Sequence, residues 1–503
     1  MRADDGRAAA RERPLAERVV SLAVVLVLAF GGLAAGATYW QVVRADELAS
    51  SPTDAAVLAA ARTVVRGRIL DRDGRTLASS RRTADGTPYR IYADPAISNP
   101  VGYASAAYGA AGLERAYAAE LSGTGGGDPL ARALAKFLPP ADRRSDLRTA
   151  LSLPLQRLAV QLLGTDRGAV VMLDPRTGEV LVLASTPTFD ASGIANPATA
   201  RRTFEAVRDD PAAPLLDRAT LGRYVPGSVF KIVTAIAGLG SGAVTPATTY
   251  PEQPAAEADG LVVDGFTIRD GHHPFTGSQE LDLATATEVS CNIWYALTGL
   301  RTGGASLDAY ARRLGFGAPL PFDLPTAASQ LTNGGGPLPG GFLDDVELAN
   351  AAYGQGEVLA TPLQMALVAA AIANRGELMA PRLATALIDR QGRETALGPR
   401  SMGRVLDAGS AAAIGAAMTL AVEGDWGRLF TAGAAVPGVP TAGKSGTAQL
   451  GGTGEPHSWF IGYAPADAPT VAIAVLVEEG GRGGQRASPL AGRMLRAYFA
   501  AQP

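Results

Sequence analysis

The chain is almost without lysine, cysteine and histidine, and each scarcity excludes something. A single cysteine, Cys291, rules out an intramolecular disulfide. Together with only three histidines (His272, His273 and His457) it leaves too few soft and imidazole donors for the usual protein zinc sites, so no metal and no other cofactor is expected. Acidic and basic residues nearly cancel, 48 against 45, for a formal net charge of −3. No cationic surface is therefore expected to meet nucleic acid. Of the 45 cationic residues, 42 are arginine and three are lysine. A guanidinium stays charged at any working pH, whereas a desolvated ammonium can fall far below its free pKa of about 10.4 and act as a base. A chain that writes nearly every cation as arginine has kept Lys231 three residues after Ser228, and Lys444 at the start of Lys-Ser-Gly-Thr. Those two positions point to chemistry.

Long apolar runs are also rare, with one exception. Arg2, Arg7, Arg11, Arg13 and Arg18 precede a stretch from Val19 to Tyr39 interrupted only by Ser, Gly and Thr. About 20 apolar residues cross a bilayer, and positive charge stays inside. The reading is a cytoplasmic tail (1–18), a transmembrane anchor (19–39) with Tyr39 and Trp40 at the far interface, and everything after it outside the cytoplasm. A cleaved signal peptide, with Ala35-Gly36-Ala37 as its small-residue site, is the competing reading; the run is long for a signal core.

Beyond the anchor, residues 40–150 are rich in Ala and Arg and carry no recognisable chemistry, as suits a reduced pedestal. Arg66 to Arg75, with Asp73-Gly74 at its end, predicts a strand and a tight reversal. Gly123 to Asp128 reads as a flexible loop. From Leu151 the pattern changes: Val170 to Leu173 and Val180 to Ala184 flank Asp174-Pro175-Arg176-Thr177-Gly178 and predict a hairpin. A helical centre follows, with a Pro/Gly-rich surface loop over 315–341 and helices resuming at Asp344. Strands are expected at Ser458 to Tyr463 and Val471 to Val477, then a helix over Ser488 to Ala500 with apolar positions at Leu490, Met494, Leu495 and Phe499. The class is α+β: a sheet with a C-terminal helix packed on it.

Three short motifs carry the chemistry. Pro226-Gly227 introduces a predicted helix from Ser228 to Gly238. Residues three apart share a helix face, so the Lys231 amine is expected against the Ser228 hydroxyl, its pKa lowered by the helix dipole and by Val229, Phe230 and Ile232. A neutral amine beside a serine makes a nucleophile and its base. Ser290-Cys291-Asn292 sits oddly polar within the helical stretch Ala284 to Leu300; Ser290 or Asn292 can cap a helix, and Cys291 is expected to be a packed small side chain. In Thr441 to Ala448, Gly446 leaves room for an extended peptide to lie against the backbone, with Lys444 and Thr447 offering a cation and a hydroxyl to an anionic terminus. A phosphate loop is the rival for a Gly-Lys-Ser run; it is not expected here, because Gly438 reads as one place too far upstream of Gly443 for the Gly-x4-Gly-Lys-Ser pattern.

Ser-x-x-Lys, Ser-x-Asn and Lys-Ser-Gly in this order are the motif set of penicillin-binding proteins and class A β-lactamases. The chain resembles a class B penicillin-binding protein, and within that class the short septal transpeptidases of actinobacteria. Asp217-Arg218-Ala219-Thr220, Tyr353-Gly354-Gln355-Gly356, Thr361 to Ala366, His457 to Tyr463 and Arg66 to Ala78 extend the likeness over most of the exported chain. The resemblance implies a serine β-lactamase-like transpeptidase domain over 151–503, with an antiparallel sheet flanked by helices and an all-helical subdomain. It implies a D,D-transpeptidase that cross-links peptidoglycan stem peptides on nascent or lipid-linked glycan strands and is acylated by β-lactams. Ser228 would attack the D-Ala-D-Ala carbonyl while Lys231 takes its proton, and the backbone N–H groups of Ser228 and Thr447 would hold the oxyanion. Ser290, relayed to Lys444, would protonate the departing D-Ala. Asn292 would position Lys231 and the donor amide, and Ser445 and Thr447, beside Gly446, would bind the carboxylate. The stretch from Trp40 to Leu151 is too short for a glycosyltransferase domain, so polymerisation falls to a partner glycosyltransferase, in company with divisome proteins.

Two rivals share these motifs: a D,D-carboxypeptidase or β-lactamase, and a non-catalytic divisome scaffold or β-lactam sensor. A Ser-His-Asp hydrolase lacks the Gly-x-Ser-x-Gly elbow around Ser228, and only His457 has strand-like surroundings for it.

Overall fold

A computed structural model describes residues 65–124, 142–270, 279–449 and 454–501, with isolated positions between 24 and 33. The expected tail, the body of the expected anchor and most of the Gly123 to Asp128 loop lie outside these. Among the described residues no helix is long and apolar enough to cross a membrane. From Val64 onward the chain forms one compact unit.

Its first sheet begins with β1 (Ile69–Leu70), β2 (Thr76–Arg82), β3 (Pro88–Tyr92) and β4 (Asp146–Thr149). The reversal between β1 and β2 is the anticipated Asp-Gly turn. Asp71 Oδ1 accepts the N–H groups of Asp73 (2.9 Å) and Arg75 (2.8 Å), and Gly74 takes φ +85°. After α1 (Leu153–Leu163), β5 (Gly168–Leu173) and β6 (Val180–Thr186) form the expected hairpin. The helical part contains α2 (Lys231–Gly240), α3 (Gln253–Asp259), a small hairpin of β7 (Leu261–Val263) and β8 (Phe266–Ile268), then α4 (Leu283–Glu288), α5 (Asn292–Thr302), α6 (Gly304–Arg313) and α7 (Asp345–Ala352). There follow α8 (Pro362–Ala373), β9 (Ala384–Ile388), β10 (Glu394–Ala396), α9 (Ala408–Glu423), β11 (Ala442–Ala448), β12 (His457–Ala464), β13 (Val471–Val477) and α10 (Ala487–Ala500).

The second sheet is antiparallel throughout, in the order β11-β12-β13-β5-β6. Its middle strand explains the layers. Val471, Ile473, Val475 and Val477 point to one face and meet Leu490, Met494 and Leu495 of α10. Ala472, Ala474 and Leu476 point to the other, into the core that holds α8. Strand periodicity of two on a segment buried on both sides produces this division, and each fully buried Val, Ile or Leu contributes roughly 1.5–3 kcal/mol. Helix α8 is buried along its whole length and starts sharply: Thr361 Oγ1 accepts the N–H of Gln364 at 3.1 Å and Pro362 occupies the first turn. Helices α2, α5, α6 and α7 pack on one another and α4 packs on α9; the subdomain expected to be all helical also carries the β7–β8 hairpin.

The first sheet crosses the boundary anticipated near residue 150. Its order is β10-β9-β4-β1-β2-β3, so two strands from the 151–503 segment complete the pedestal sheet. β9 lies antiparallel to β4, with Leu387 opposite Leu147.

Candidate active site

The site is built where α2 begins. Sequence spacing predicts an α-helix from Ser228; the structure instead has a single 3-10 turn, Gly227–Phe230, and the α-helix starts at Lys231. The cause is a close approach between this turn and β11. Gly227 has φ +57°, and a Cβ there would lie 2.6 Å from the carbonyl oxygen of Thr447. A Cβ on Gly446 would meet the Pro226 oxygen at 2.8 Å. Two positions without side chains let a turn and a strand touch. The turn is tied down on its other flanks: Gly227 N–H donates to Gly354 O at 2.9 Å, Trp459 Nε1 donates to Val225 O at 3.0 Å, and Tyr224 bridges Ala360. Ser228 is left half-buried, open on one side.

Lys231 is fully buried, and its amine points across to the α4–α5 junction. Nζ donates to Ser290 O (2.5 Å), Ser290 Oγ (3.2 Å) and Asn292 Oδ1 (2.8 Å), and stands 5.6 Å from the centroid of the Tyr295 ring. The expected resting hydrogen bond to Ser228 is not made; the amine's donors are spent on the Ser-x-Asn motif, whose acceptors converge on it. The pattern of Ala284 to Leu300 suggested one helix through this motif; instead Ser290 and Cys291 lie outside helix and Asn292 opens α5. The motif is the break between α4 and α5. Ser290 stands at φ +63°, and Cys291 Sγ accepts the Trp294 N–H at 3.3 Å. A non-glycine residue in this region costs about 1–2 kcal/mol, and here the strain turns the Ser290 hydroxyl between two amines. Lys444, also buried, donates to the same Oγ at 2.8 Å and to Ser445 O at 3.1 Å.

Burial pushes Lys231 down to about 8, partly countered by the negative charge of Asp270. Lys444 is held well below the ordinary lysine value, chiefly by burial and then by the nearness of Lys231. Two ammoniums on one hydroxyl repel, so the pair rests with fewer than two protons. The constellation thus holds an amine whose neutral form comes within reach near neutral pH, a hydroxyl able to pass a proton, and a serine one turn away.

Strand β11 carries Lys444, Ser445, Gly446 and Thr447 and forms the edge of its sheet, with no further strand paired to it on that side. Ser445 is buried, and Thr447 Oγ1 accepts the Gly483 N–H at 3.2 Å. Four residues separate Gly438 from Gly443, so the glycine spacing of a phosphate loop, expected to be missing, is in fact present. What excludes that loop is conformation: Ala442–Ala448 is a strand with Lys444 buried, not a loop opening a helix.

The geometry finds close counterparts among known proteins. Residues 168–496 match the penicillin-binding protein transpeptidase domain. The chain belongs to the penicillin-binding protein transpeptidase family. Residues 66–138 match the penicillin-binding protein A dimerisation domain. The peptidoglycan D,D-transpeptidase PbpA of Mycolicibacterium smegmatis is 34% identical over 94% of this chain and 96% of its own length. Penicillin-binding protein A of Mycobacterium tuberculosis, solved as a ceftriaxone acyl-enzyme complex, superposes with a TM-score of 0.75 at 32% identity, covering 88% of this chain and 100% of that one. Its penicillin G acyl-enzyme complex gives 0.73 at 32% identity, over 87% and 99%.

Within this family site, one residue was missed from sequence. Asp270, just past β8, accepts the N–H groups of Asn292 (2.5 Å) and Ile293 (3.3 Å). No spacing linked it to a motif; only its place two residues after a short hairpin would have marked it. Asp270, Glu257 and Cys291 bring two carboxylates and a thiol within 4.8 Å of one another, the donor types of a divalent-cation site. Hydrogen bonds already engage the set: the Cys291 thiol donates to Glu257 Oε1 at 3.0 Å, and burial raises its pKa well above the ordinary thiol value. Cys291 is the packed, protonated side chain that was expected. His272 and His273 lie outside the described residues. His457 is on β12, where Nδ1 accepts the Glu479 N–H (3.1 Å) and the ring meets Tyr224 edge-on.

Proposed function

We propose that this chain is a serine D,D-transpeptidase that cross-links peptidoglycan stem peptides and is acylated by β-lactams. The observation that carries the reading is the single hydroxyl of Ser290 held between two buried amines, 3.2 Å from Lys231 and 2.8 Å from Lys444, with the half-buried Ser228 one turn before the first amine and the second on the edge strand of the sheet.

The donor peptide lies along β11 with its carboxylate toward Ser445 and Thr447. Ser228 Oγ attacks the carbonyl carbon of the penultimate D-Ala, and the hydroxyl proton passes to neutral Lys231. The N–H groups of Ser228 and Thr447 receive the oxyanion. As the C–N bond breaks, the leaving D-Ala nitrogen takes a proton from Ser290, which is resupplied through Lys444. The amine of a second stem peptide then attacks the acyl carbon, its surplus proton returns to the lysine pair, and Ser228 leaves as the free hydroxyl. Asn292 keeps Lys231 oriented throughout.

The basic N-terminus and apolar 19–39 run support an anchor in the cell membrane, with the N-terminus in the cytoplasm and the site outside. That placement puts the enzyme beside a partner glycosyltransferase and divisome proteins during septal wall synthesis. Intact mass after penicillin treatment tests the core of the reading. One adduct per chain is expected on the wild type and none on Ser228→Ala; an adduct on the variant removes Ser228 as nucleophile.

A further inference from the structure

Asp270 lies outside the three motifs yet bonds directly to one of them. One carboxylate oxygen receives the first N–H groups of α5, from Asn292 and Ile293, at 2.5 and 3.3 Å. Asn292 in turn holds Lys231, and the residue two before it is the Ser290 shared by both lysines. We propose that Asp270 is a positioning residue of the acylation centre: its carboxylate anchors the start of α5 so that Ser290 and Asn292 face Lys231 and Lys444.

The argument is one of leverage. Ser290 is in a left-handed conformation, and the turn that contains it is pinned from the α4 side by Cys291 N–H to Ala286 O (2.9 Å). On the α5 side, Asp270 takes up the N–H groups that a helix start leaves unpaired, and a negative charge at that end is favourable. The Glu257 carboxylate and the Cys291 thiol lie within 4.8 Å of it, and its charge is felt by Lys231, Lys444, Cys291 and Tyr353. Its charge also favours the protonated forms of both lysines, against the burial that disfavours them. Removing it lets the α5 start relax, and a displacement of about 1 Å at a catalytic group costs on the order of a hundredfold in rate.

This inference rests on the acyl-enzyme reading above. The test uses the full chain and saturating kinetics of penicillin acylation, separating the acylation step from the preceding binding constant. Asp270→Ala is expected to slow the acylation step by about 10- to 100-fold with the binding constant nearly unchanged and thermal melting little affected. Asp270→Glu should restore part of the rate. Asp270→Asn, which keeps an acceptor, should fall between, and it decides the matter if the alanine variant does not fold. Wild-type rates in both Asp270→Ala and Asp270→Asn, or a loss confined to the binding constant, overturn the proposal. So does a comparable loss when wild-type protein is stripped with a chelator and recovers with zinc, which would assign the carboxylate to a cation shared with Glu257 and Cys291. An adduct that persists on Ser228→Ala marks failure of the acyl-enzyme reading instead, independently of Asp270.

Discussion

The protonation of Lys231 should be visible in the rate at which penicillin acylates the enzyme. Burial lowers its pKa to about 8, and a base acts only in its neutral form. Roughly a tenth of the molecules hold that form at pH 7 and roughly nine-tenths at pH 9, so the second-order acylation rate should rise about tenfold between them and level off above. Lys444 is also held well below the ordinary lysine value, by burial and by the nearness of Lys231, so the inflection is assigned to Lys231 by its loss in a variant of that residue. The same shift has a stability consequence of definite sign. The unfolded chain keeps Lys231 at about 10.4, so between about pH 8 and 10.4 the unfolded state binds more protons and folding gains stability as pH rises, on the order of 3 kcal/mol in all for a group this buried. Below about 8 the contribution is flat, with the charged amine buried at full cost. Stopped-flow acylation across about pH 6 to 10, paired with urea unfolding at the same pH values, measures both. A flat acylation profile refutes the reasoning, as does an inflection that survives in Lys231→Arg, whose guanidinium cannot become neutral and should be inactive at every pH.

Other substitutions probe the frame that holds these groups. Gly227→Ala puts a methyl group against the Thr447 oxygen, at 2.6 Å, in a left-handed conformation. Strain alone costs about 1–2 kcal/mol, so a lower melting temperature and lost acylation are expected; a variant that keeps both would contradict the clamp. Asn292→Ala frees the Lys231 amine from one of its three acceptors. Acylation should slow about tenfold or more while the fold persists, as tested by penicillin kinetics beside circular dichroism. Arg218→Ala removes the buried partner of a 2.8 Å ion pair with the half-buried Glu478, leaving Tyr224 and the more exposed Arg167 to that carboxylate. Breaking such a pair costs about 3–5 kcal/mol, which a urea titration would read; a change under about 1 kcal/mol would mean that Arg167 takes over.

How much of this was legible in the residues depended on whether the signal was local. The β5–β6 hairpin, the β12 and β13 strands and α10 follow from turn residues and apolar period, and they stand where the pattern put them. Lys231, its neighbour Ser228 and Lys444 stood out because lysine is so rare, and Ser290 and Asn292 because a polar pair interrupts an apolar stretch. The amine of Lys231 was misdirected, because spacing along one helix says nothing about acceptors arriving from α4 and α5. The Ser290 turn was read as helix for a related reason: left-handed strain at a serine is imposed by its neighbours in space. Asp270 was invisible because its role is set by a helix start 22 residues further on.

The shared first sheet limits how this protein can be divided. A version trimmed to begin at Leu151 would lose β1 to β4 and leave β9 with a bare edge, its Leu387 stripped of Leu147. Such an edge invites pairing between chains and aggregation. A soluble form for crystallography or drug screening should therefore start ahead of Val65.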